Sequence, residues 1–278
     1  MTTPETPNQV LQRAAAADTL AAPTHSLPPV EKDRFRFSTL SHSDHIFCSP
    51  MSSIKADELV ELLDLPASSR LLDIGCGKAE FLLRAVQRYA ATGVGVDLNG
   101  AFLRVARANA EARDLEEQME WHEARAADVA LDPASFDVAL CFGSSQAFGK
   151  FEQALVALAA LVRPGGQVLI ADPYWRREPA PDFLAFLGAS ADVHLTHAGN
   201  EAAGLAAGLV PLYSCVSSDD EWDHYEGLFC RAVERFAQGN PQDPDALPFR
   251  ERIRGFRECY RRWSRDTMGF GFYLFSKP

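Results

Sequence analysis

Residues 71–80 read Leu-Leu-Asp-Ile-Gly-Cys-Gly-Lys-Ala-Glu, an apolar run that enters a Gly-x-Gly turn and continues into a helical pattern. Gly75 and Gly77 permit the unusual dihedral angles of such a turn and let a ligand approach the backbone closely. The first turn of the following helix offers free N–H groups to an anionic group. A dinucleotide fingerprint would carry a third glycine in place of Glu80, whose carboxylate would repel a pyrophosphate. The stretch therefore predicts a strand–turn–helix ligand loop that suits the zwitterionic end of an amino acid better.

An acidic residue follows at the end of the next predicted strand, where residues 93–99 read Gly-Val-Gly-Val-Asp-Leu-Asn. A carboxylate in this position can accept hydrogen bonds from both hydroxyls of a ribose. Asp97 lies 20 residues beyond Gly77, a separation expected when one nucleoside ligand spans two adjacent strands. The alternative, a solvated Asp that caps the next helix, stays open, but the glycine loop upstream favours the ribose role.

Strand and helix patterns alternate through the middle of the chain. Short apolar runs with turn signals predict five strands: Arg70–Ile74, Thr92–Val96, Gln118–His122, Phe136–Phe142 and Gln167–Ala171. Helical patterns separate most of these strands, which is typical of right-handed crossovers and a mostly parallel sheet covered on both faces. We therefore expect an α/β, doubly wound fold.

The pattern changes after residue 200. Leu209–Val216 and Met268–Phe275 are predicted strands, and two long amphipathic stretches, Asp219–Gln238 and Pro248–Asp266, lie between them. The sequence thus predicts a helical insertion, residues 219–266, between the last two strands.

The order of these motifs resembles that of class I S-adenosylmethionine (SAM) dependent methyltransferases over about residues 55–175. The resemblance rests on LLDIGCGKAEFLLRA, GVGVDLN, the pair Ala127-Asp128, FDVALCFGS and LVRPGGQVLIADPYW. It implies a seven-stranded sheet whose last strand is antiparallel and inserts between the fifth and sixth strands. It also implies SAM as the cofactor and S-adenosylhomocysteine as the product. Ala79 departs from the family pattern, since many members have a glycine there.

The same resemblance assigns the cofactor-binding residues. Asp73 would sit near the methionine end of SAM, beside the glycine loop of Gly75, Cys76 and Gly77. Asp97, followed by Leu98, would hold the ribose. Asp128 would meet the adenine amino group, and Phe142 and Gly143 would flank the cofactor.

Segments outside the central motifs resemble, more loosely, a bacterial branch of small-molecule methyltransferases whose substrate is unassigned. They are SHSDHIFCSPMS, EWDHYE and RRWSRDTMGFGFYLF. In that branch Glu is more common than Asp at the position of Asp172, which leaves the role of this carboxylate open.

The substrate should bind beyond the carboxyl ends of the strands, near the point where the strand order reverses. An N-terminal cap, residues 35–66, and the insertion would both cover this edge. His45 is a candidate general base because histidine titrates near neutral pH, and Asp172, just beyond the fifth predicted strand, is a second candidate. His42, Tyr174 and Trp175 are candidate substrate contacts, with packing of the cap as the alternative. We expect no metal site, because His42, Asp44 and His45 lack a further ligand.

The insertion adds three candidate substrate contacts. Trp222 and Tyr225 share one helix face, although such a stripe is more often part of the core. The second inserted helix carries a concentration of arginines, most of which should pair with Asp and Glu on the surface. Arg265 is the candidate for holding an anionic substrate group.

Bulk properties narrow the function class. The net charge of -11 and pI near 5.1 argue against a protein that grips nucleic-acid backbones. Six cysteines without a CxxC pair indicate reduced thiols, and neither a signal peptide nor a membrane span is evident. We expect a cytoplasmic protein with a flexible arm at residues 1–34 and one methyltransferase domain at residues 35–278. Its oligomeric state stays open.

The combined hypothesis is that the chain is an enzyme that transfers a methyl group from SAM to an N, O or S nucleophile of a small molecule. A non-catalytic SAM-binding regulator is an alternative from another class, as is an NAD-dependent oxidoreductase. The position of Glu80 counts against the oxidoreductase.

Overall fold

The computed structural model describes residues 34–278, and the arm predicted for residues 1–34 falls outside it apart from Arg34. Seven strands in this part of the chain form one sheet in the order β3-β2-β1-β4-β5-β7-β6. The strands are β1 Arg70–Ile74, β2 Thr92–Asp97, β3 Met119–Glu123, β4 Phe136–Phe142, β5 Val162–Trp175, β6 Val210–Val216 and β7 Met268–Ser276. The order reverses between β1 and β4, so the ligand edge predicted from sequence lies beyond the carboxyl ends of these two strands.

Helices cover both faces of the sheet. They are α1 Arg36–Ser41, α2 Ser53–Leu62, α3 Glu80–Tyr89, α4 Gly100–Glu111, α5 Phe151–Leu161, α6 Pro181–Leu187, α7 His197–Ala206, α8 Asp219–Gly239, α9 Ala246–Cys259 and α10 Arg265–Thr267. One hydrophobic cluster contains Leu71, Leu82 and Phe272, and the other contains Leu72, Leu155 and Phe275. Neighbouring strand residues thus point into opposite cores, which is why the strands read as almost continuous apolar runs.

The last strand is antiparallel and lies between the fifth and the sixth. β7 pairs with β5 on one side and with β6 on the other. This confirms the expected seven-stranded methyltransferase sheet, and it places α8 and α9 as the helical insertion before the last strand.

β5 is longer than the sequence pattern indicates, because pairing with β7 continues from Asp172↔Gly271 to Trp175↔Met268. The prediction that this strand ends at Ala171 was wrong. Asp172 therefore lies within the strand and not in a loop after it. Polar Asp172 and Pro173 interrupt the apolar pattern, and only the partner strand reveals that the sheet continues.

The N-terminal cap docks on the insertion as well as on the sheet edge. Phe37 of α1 packs edge-on against Phe229 of α8 and Phe249 of α9. Arg36 pairs with Asp243, at 2.6 Å, and with Asp245 in the turn between the two inserted helices. The cap and the insertion thus form one cover, which was not foreseen from sequence.

Local elements differ from the predictions at three places. The sequence analysis did not predict α1 and α6, which are 6 and 7 residues long, too short for a clear periodic pattern. The second inserted helix was expected to run to Asp266, but a π-helical turn, Tyr260–Ser264, separates α9 from α10. No helix among residues 34–278 is long and apolar enough to cross a membrane.

Candidate active site

The turn after β1 is shaped by left-handed backbone conformations. Gly75 and Gly77 have φ values of +73° and +54°, as the motif requires. The N–H groups of Gly75 and Cys76 donate to the carbonyl oxygen of Val96, at 2.8 and 3.1 Å, and fix the turn against β2. A Cβ at Gly75 would overlap the Ser144 side chain, and one at Gly77 would come within 3.3 Å of the Cys48 sulfur. Both positions therefore require the space that glycine leaves.

Ala79 also adopts a left-handed conformation, with φ of +58°, directly before α3. This region costs an L-residue about 1–2 kcal/mol, which explains why glycine suits the position. The departure from the family pattern thus keeps the backbone geometry.

Asp97 stands at the end of β2 with both carboxylate oxygens engaged by backbone. They accept hydrogen bonds from the N–H of Gly77, at 2.8 Å, and from the N–H of Asn99, at 2.7 Å. A carboxylate oxygen has two lone pairs, so each can accept a further bond from a ribose hydroxyl. The ordered carboxylate faces a cavity of about 250 Å³, the adenosine-side cavity, which Leu98 also lines.

Asp128 does not line the adenosine-side cavity. Its neighbours Ala126 and Ala127 do, whereas the Asp128 side chain is exposed. The adenine contact assigned to it by resemblance stays a prediction, and nothing in its surroundings adds support.

Asp73 is buried at the other end of the loop. It lines a smaller space of about 30 Å³, the methionine-side cavity, together with Gly75, Cys76 and Phe142. Burial, and secondarily the Asp97 carboxylate, raise the pKa of Asp73 to about 7. An ammonium group placed here would offset that desolvation and restore the ionised carboxylate. The site therefore fits the amino-acid end of SAM.

A third space, the acceptor cavity, has a volume of about 320 Å³ and lies under the cap and α8. It shares Cys48 and Ser49 with the methionine-side cavity, and Gln146 with the adenosine-side cavity. Gly143, at the end of β4 with φ of +62°, also lines it. A molecule in this space would thus adjoin both ends of a bound cofactor.

Two carboxyl groups line the acceptor cavity. Asp172 is buried and accepts a hydrogen bond of 2.7 Å from the Ser145 hydroxyl, while burial raises its pKa to about 7. Glu226 of α8 lines the same cavity, and burial raises its pKa to about 7 as well. Side chains with pKa values near ambient pH are suited to accept and return protons.

Sequence reasoning missed Glu226. The signal was present, because Glu226 follows Trp222 by four residues and shares its helix face. Trp222 and Tyr225, which the sequence did single out, both line the acceptor cavity. The Trp222 indole N–H also lies 3.4 Å from the Glu226 carboxyl oxygen Oε1.

The two cap histidines lie behind the acceptor cavity and do not line it. His42 Nε2 is 2.9 Å from the Tyr225 hydroxyl, and burial lowers the pKa of His42 to about 4. His45 Nε2 is 2.9 Å from the Tyr225 carbonyl oxygen, so this nitrogen carries the proton. Burial lowers the pKa of His45 too. These contacts support a role in positioning Tyr225 more than the base role predicted for His45.

Three further predicted substrate contacts do not line the acceptor cavity. Tyr174 is buried in the core beside Gly269, and the Trp175 indole N–H donates to the Ala191 carbonyl oxygen at 2.7 Å. Arg265 forms a bidentate pair with Asp223, with two contacts of 2.9 Å. Packing and surface pairing account for these side chains.

The described residues hold no group of three or more His, Cys, Asp or Glu side chains placed to bind a metal ion.

Together, the reversal of strand order, the glycine loop and the ordered Asp97 define a class I SAM-dependent methyltransferase. The chain belongs to this family, and SAM is its cofactor. A family profile described as "Methyltransferase domain" matches residues 71–166. A SAM-dependent methyltransferase from Geobacter sulfurreducens, solved with S-adenosylhomocysteine, superposes with a TM-score of 0.81 at 26% identity, covering 87% of this chain and 98% of that one.

Two curated relatives show how far the similarity extends. The Escherichia coli (strain K12) protein YjhP, described as uncharacterized, is 30% identical over 86% of this chain and 96% of its own length. A ubiquinone biosynthesis O-methyltransferase from Alkalilimnicola ehrlichii is 30% identical, but over 51% of this chain and 57% of its own length. Sequence similarity to this O-methyltransferase thus covers about half of the chain.

Proposed function

We propose that this chain transfers the methyl group of SAM to a nucleophile of a small molecule held in the acceptor cavity. The observation that carries the proposal is the contact between cavities: Cys48 and Ser49 wall both the acceptor and the methionine-side cavity. The volume of about 320 Å³ suits a small molecule, and the net charge of -11 disfavours a nucleic-acid acceptor. Six free thiols are in keeping with a cytoplasmic site of action.

SAM supplies a methyl group bonded to a positively charged sulfur. The nucleophile attacks the methyl carbon from the side opposite to the sulfur, and the sulfur leaves. The protein contributes mainly position: Asp97 would hold the ribose and Asp73 the ammonium, which fixes the direction of the methyl group. Such positioning can account for roughly 7–11 kcal/mol of a reaction barrier. Asp172, held by Ser145, would accept the proton of a nucleophile that is protonated at neutral pH.

The cofactor half of the proposal is tested by calorimetric titration of S-adenosylhomocysteine. We expect micromolar binding to the wild type and a loss of at least about tenfold for Asp97→Asn, because the amide group cannot accept from both ribose hydroxyls. Glu61→Gln is the matched control: this carboxylate pairs with Arg88 on the surface, with 58% of its side chain exposed, and should leave binding unchanged. A well-folded wild type that does not bind the ligand would contradict the proposal.

The transfer half is tested with SAM labelled in the methyl group and a panel of small-molecule acceptors. An acceptor that is methylated by the wild type should be methylated much more slowly by Asp172→Asn, with S-adenosylhomocysteine affinity retained. Equal rates for the two proteins would remove Asp172 from the reaction.

A further inference from the structure

The groups of the acceptor cavity that are available to bind a charged ligand are acidic. Asp172 and Glu226 are the acidic groups of its lining. Lys150 reaches the rim, but its ammonium is 2.6 Å from the Asp192 carboxylate and 53% of its side chain is exposed. Burial lowers the pKa of His194, the other basic group on the wall, to about 4, so its ring is neutral at pH 7. The described lining therefore offers two potential anions and no cation free to meet a ligand.

Aromatic residues line the acceptor cavity together with the two carboxyl groups. Trp222, Tyr225 and Phe270 line the same cavity, and Trp222 and Phe270 meet edge to face with centroids 6.3 Å apart. The negative face of an aromatic ring attracts a cation, and the attraction grows where water is excluded. Carboxylates and aromatic faces together form a lining that suits an organic cation and disfavours an anion.

We propose that the methyl acceptor is an amine, bound as an ammonium by the carboxyl groups of Asp172 and Glu226 and against the ring of Trp222. This inference rests on the proposed function, since it takes this cavity as the acceptor site. A phenol or alcohol would find no cationic group to stabilise its anion. A carboxylic acid would meet two like charges.

The protons and electron pairs of the proposed transfer are all accounted for by these groups, the amine and SAM. One carboxylate takes a proton from the bound ammonium, which frees the nitrogen lone pair. That pair forms the new N–C bond while the C–S bond breaks, and sulfur keeps the C–S electron pair as a neutral thioether. The positive charge moves from sulfur to nitrogen, so the product is again an ammonium that the same lining holds. The proton stays on the carboxyl group until it exchanges with solvent.

Other titratable groups face the two carboxyls. Cys141 of β4 and Tyr273 of β7 lie near Asp172, and burial raises the pKa of both, so they stay neutral. The groups near Glu226 are Tyr225, Cys230, Cys259 and Tyr260, whose pKa values burial also raises. Glu226 also lines an adjoining groove of about 450 Å³ at α8 and α9, whose lining contains Arg231, Arg257 and Arg261 as well as Asp223 and Glu234. Near pH 7 the charge of the acceptor cavity therefore changes through ionisation of Asp172 and Glu226.

The test compares benzylamine with benzyl alcohol, two probes of nearly equal shape that differ in charge. Binding is measured at pH 8 by calorimetry on the protein saturated with S-adenosylhomocysteine, and by tryptophan fluorescence on the free protein. We expect benzylamine to bind at least tenfold more tightly, and its affinity to rise between pH 6 and pH 8 as the carboxyls ionise. Glu226→Gln and Asp172→Asn should each weaken benzylamine about tenfold and leave benzyl alcohol unchanged.

Glu234→Gln is the matched control, because it makes the same change two turns further along α8, where the carboxylate pairs with Arg254 at 2.6 Å. Its benzylamine affinity should equal that of the wild type. The amine assignment would be overturned by equal affinity for the two probes or by tighter binding of benzyl alcohol. It would also be overturned if neither benzylamine nor the longer phenethylamine binds. If the protein fails to bind S-adenosylhomocysteine, the proposed function fails, whereas the fluorescence measurement on free protein still decides the charge preference. Asp172 is buried, so Glu226→Gln keeps the test decisive if Asp172→Asn does not fold.

Discussion

Asp73 shows how a buried carboxyl group can couple cofactor binding to pH. Burial and the nearby Asp97 carboxylate raise its pKa to about 7 in the free protein, so about half of the molecules carry a proton there at neutral pH. The ligand ammonium binds the ionised form. S-adenosylhomocysteine should therefore bind about tenfold more weakly at pH 6 than at pH 8, and binding near pH 7 should release about half a proton per protein molecule on average. Titration calorimetry in buffers of different ionisation enthalpy measures both effects.

The variant Asp73→Asn separates this coupling from other titrations. It should bind the ligand more weakly at pH 8 and show a flat affinity from pH 6 to pH 8. A wild-type affinity that does not change over this range would mean that Asp73 is ionised before the ligand arrives, contrary to the effect of its burial.

At the scale of elements, Lys78 joins the cofactor loop to the N-terminal cap. Its side chain is buried, and its ammonium donates to the carbonyl oxygens of His42, at 2.6 Å, and His45, at 2.7 Å. Lys78→Met keeps the apolar stem but leaves both carbonyl groups without their donor, at a cost of about 1–3 kcal/mol. We expect Tm to fall by about 3–8 °C and proteolysis within residues 42–51 to become faster.

The matched control for this prediction is Arg88→Met, which removes an exposed ion pair with Glu61 and should leave the free energy of unfolding nearly unchanged. If S-adenosylhomocysteine protects the wild-type cap from proteolysis and fails to protect Lys78→Met, the lysine links cofactor binding to cap closure. Equal protease sensitivity of the two variants would contradict the proposal that Lys78 holds the N-terminal cap against the cofactor loop.

The elements that sequence predicted well are those whose pattern is local. The strand, the Gly-x-Gly turn and the helix around residues 71–89 follow from adjacent residues, and so does Asp97 at the end of β2. The end of β5 is different, because Asp172 and Pro173 look like a loop until β7 pairs with them. Long-range strand pairing overrides the local pattern there.

The same distinction applies to the site. The cofactor loop could be predicted because one short segment contains most of its residues. The acceptor cavity could not, since Asp172 comes from β5, Glu226 from α8 and Cys48 from the cap. Only the folded chain shows that Trp222 faces this cavity while Trp175, also aromatic and near the same edge, packs in the core.

At the scale of the whole molecule, buried titratable groups set how stability changes with pH. The pKa values of Asp73, Asp172 and Glu226 are raised to about 7, so the folded state holds protons that the unfolded chain releases above about pH 4, and stability falls as pH rises toward 8. His42 and His194, with pKa values lowered to about 4, act in the opposite direction between pH 4 and pH 6.5. The two effects oppose each other below pH 6.5, and the carboxyl effect alone remains above it.

The free protein should therefore lose stability between pH 6 and pH 8, by about 1 kcal/mol for each of these three carboxyls, or about 7 °C in Tm altogether. Saturating S-adenosylhomocysteine should offset the part due to Asp73, because its ammonium stabilises the ionised carboxylate. Asp172→Asn and Glu226→Gln should each remove about half of the remaining slope, and the double variant should flatten it, since an amide does not titrate. Thermal unfolding by circular dichroism at pH 6, 7 and 8, with and without the ligand, measures these slopes. A Tm that rises from pH 6 to pH 8 in the free protein would show that these carboxyls are already ionised at pH 6, and that their pKa values lie well below 7.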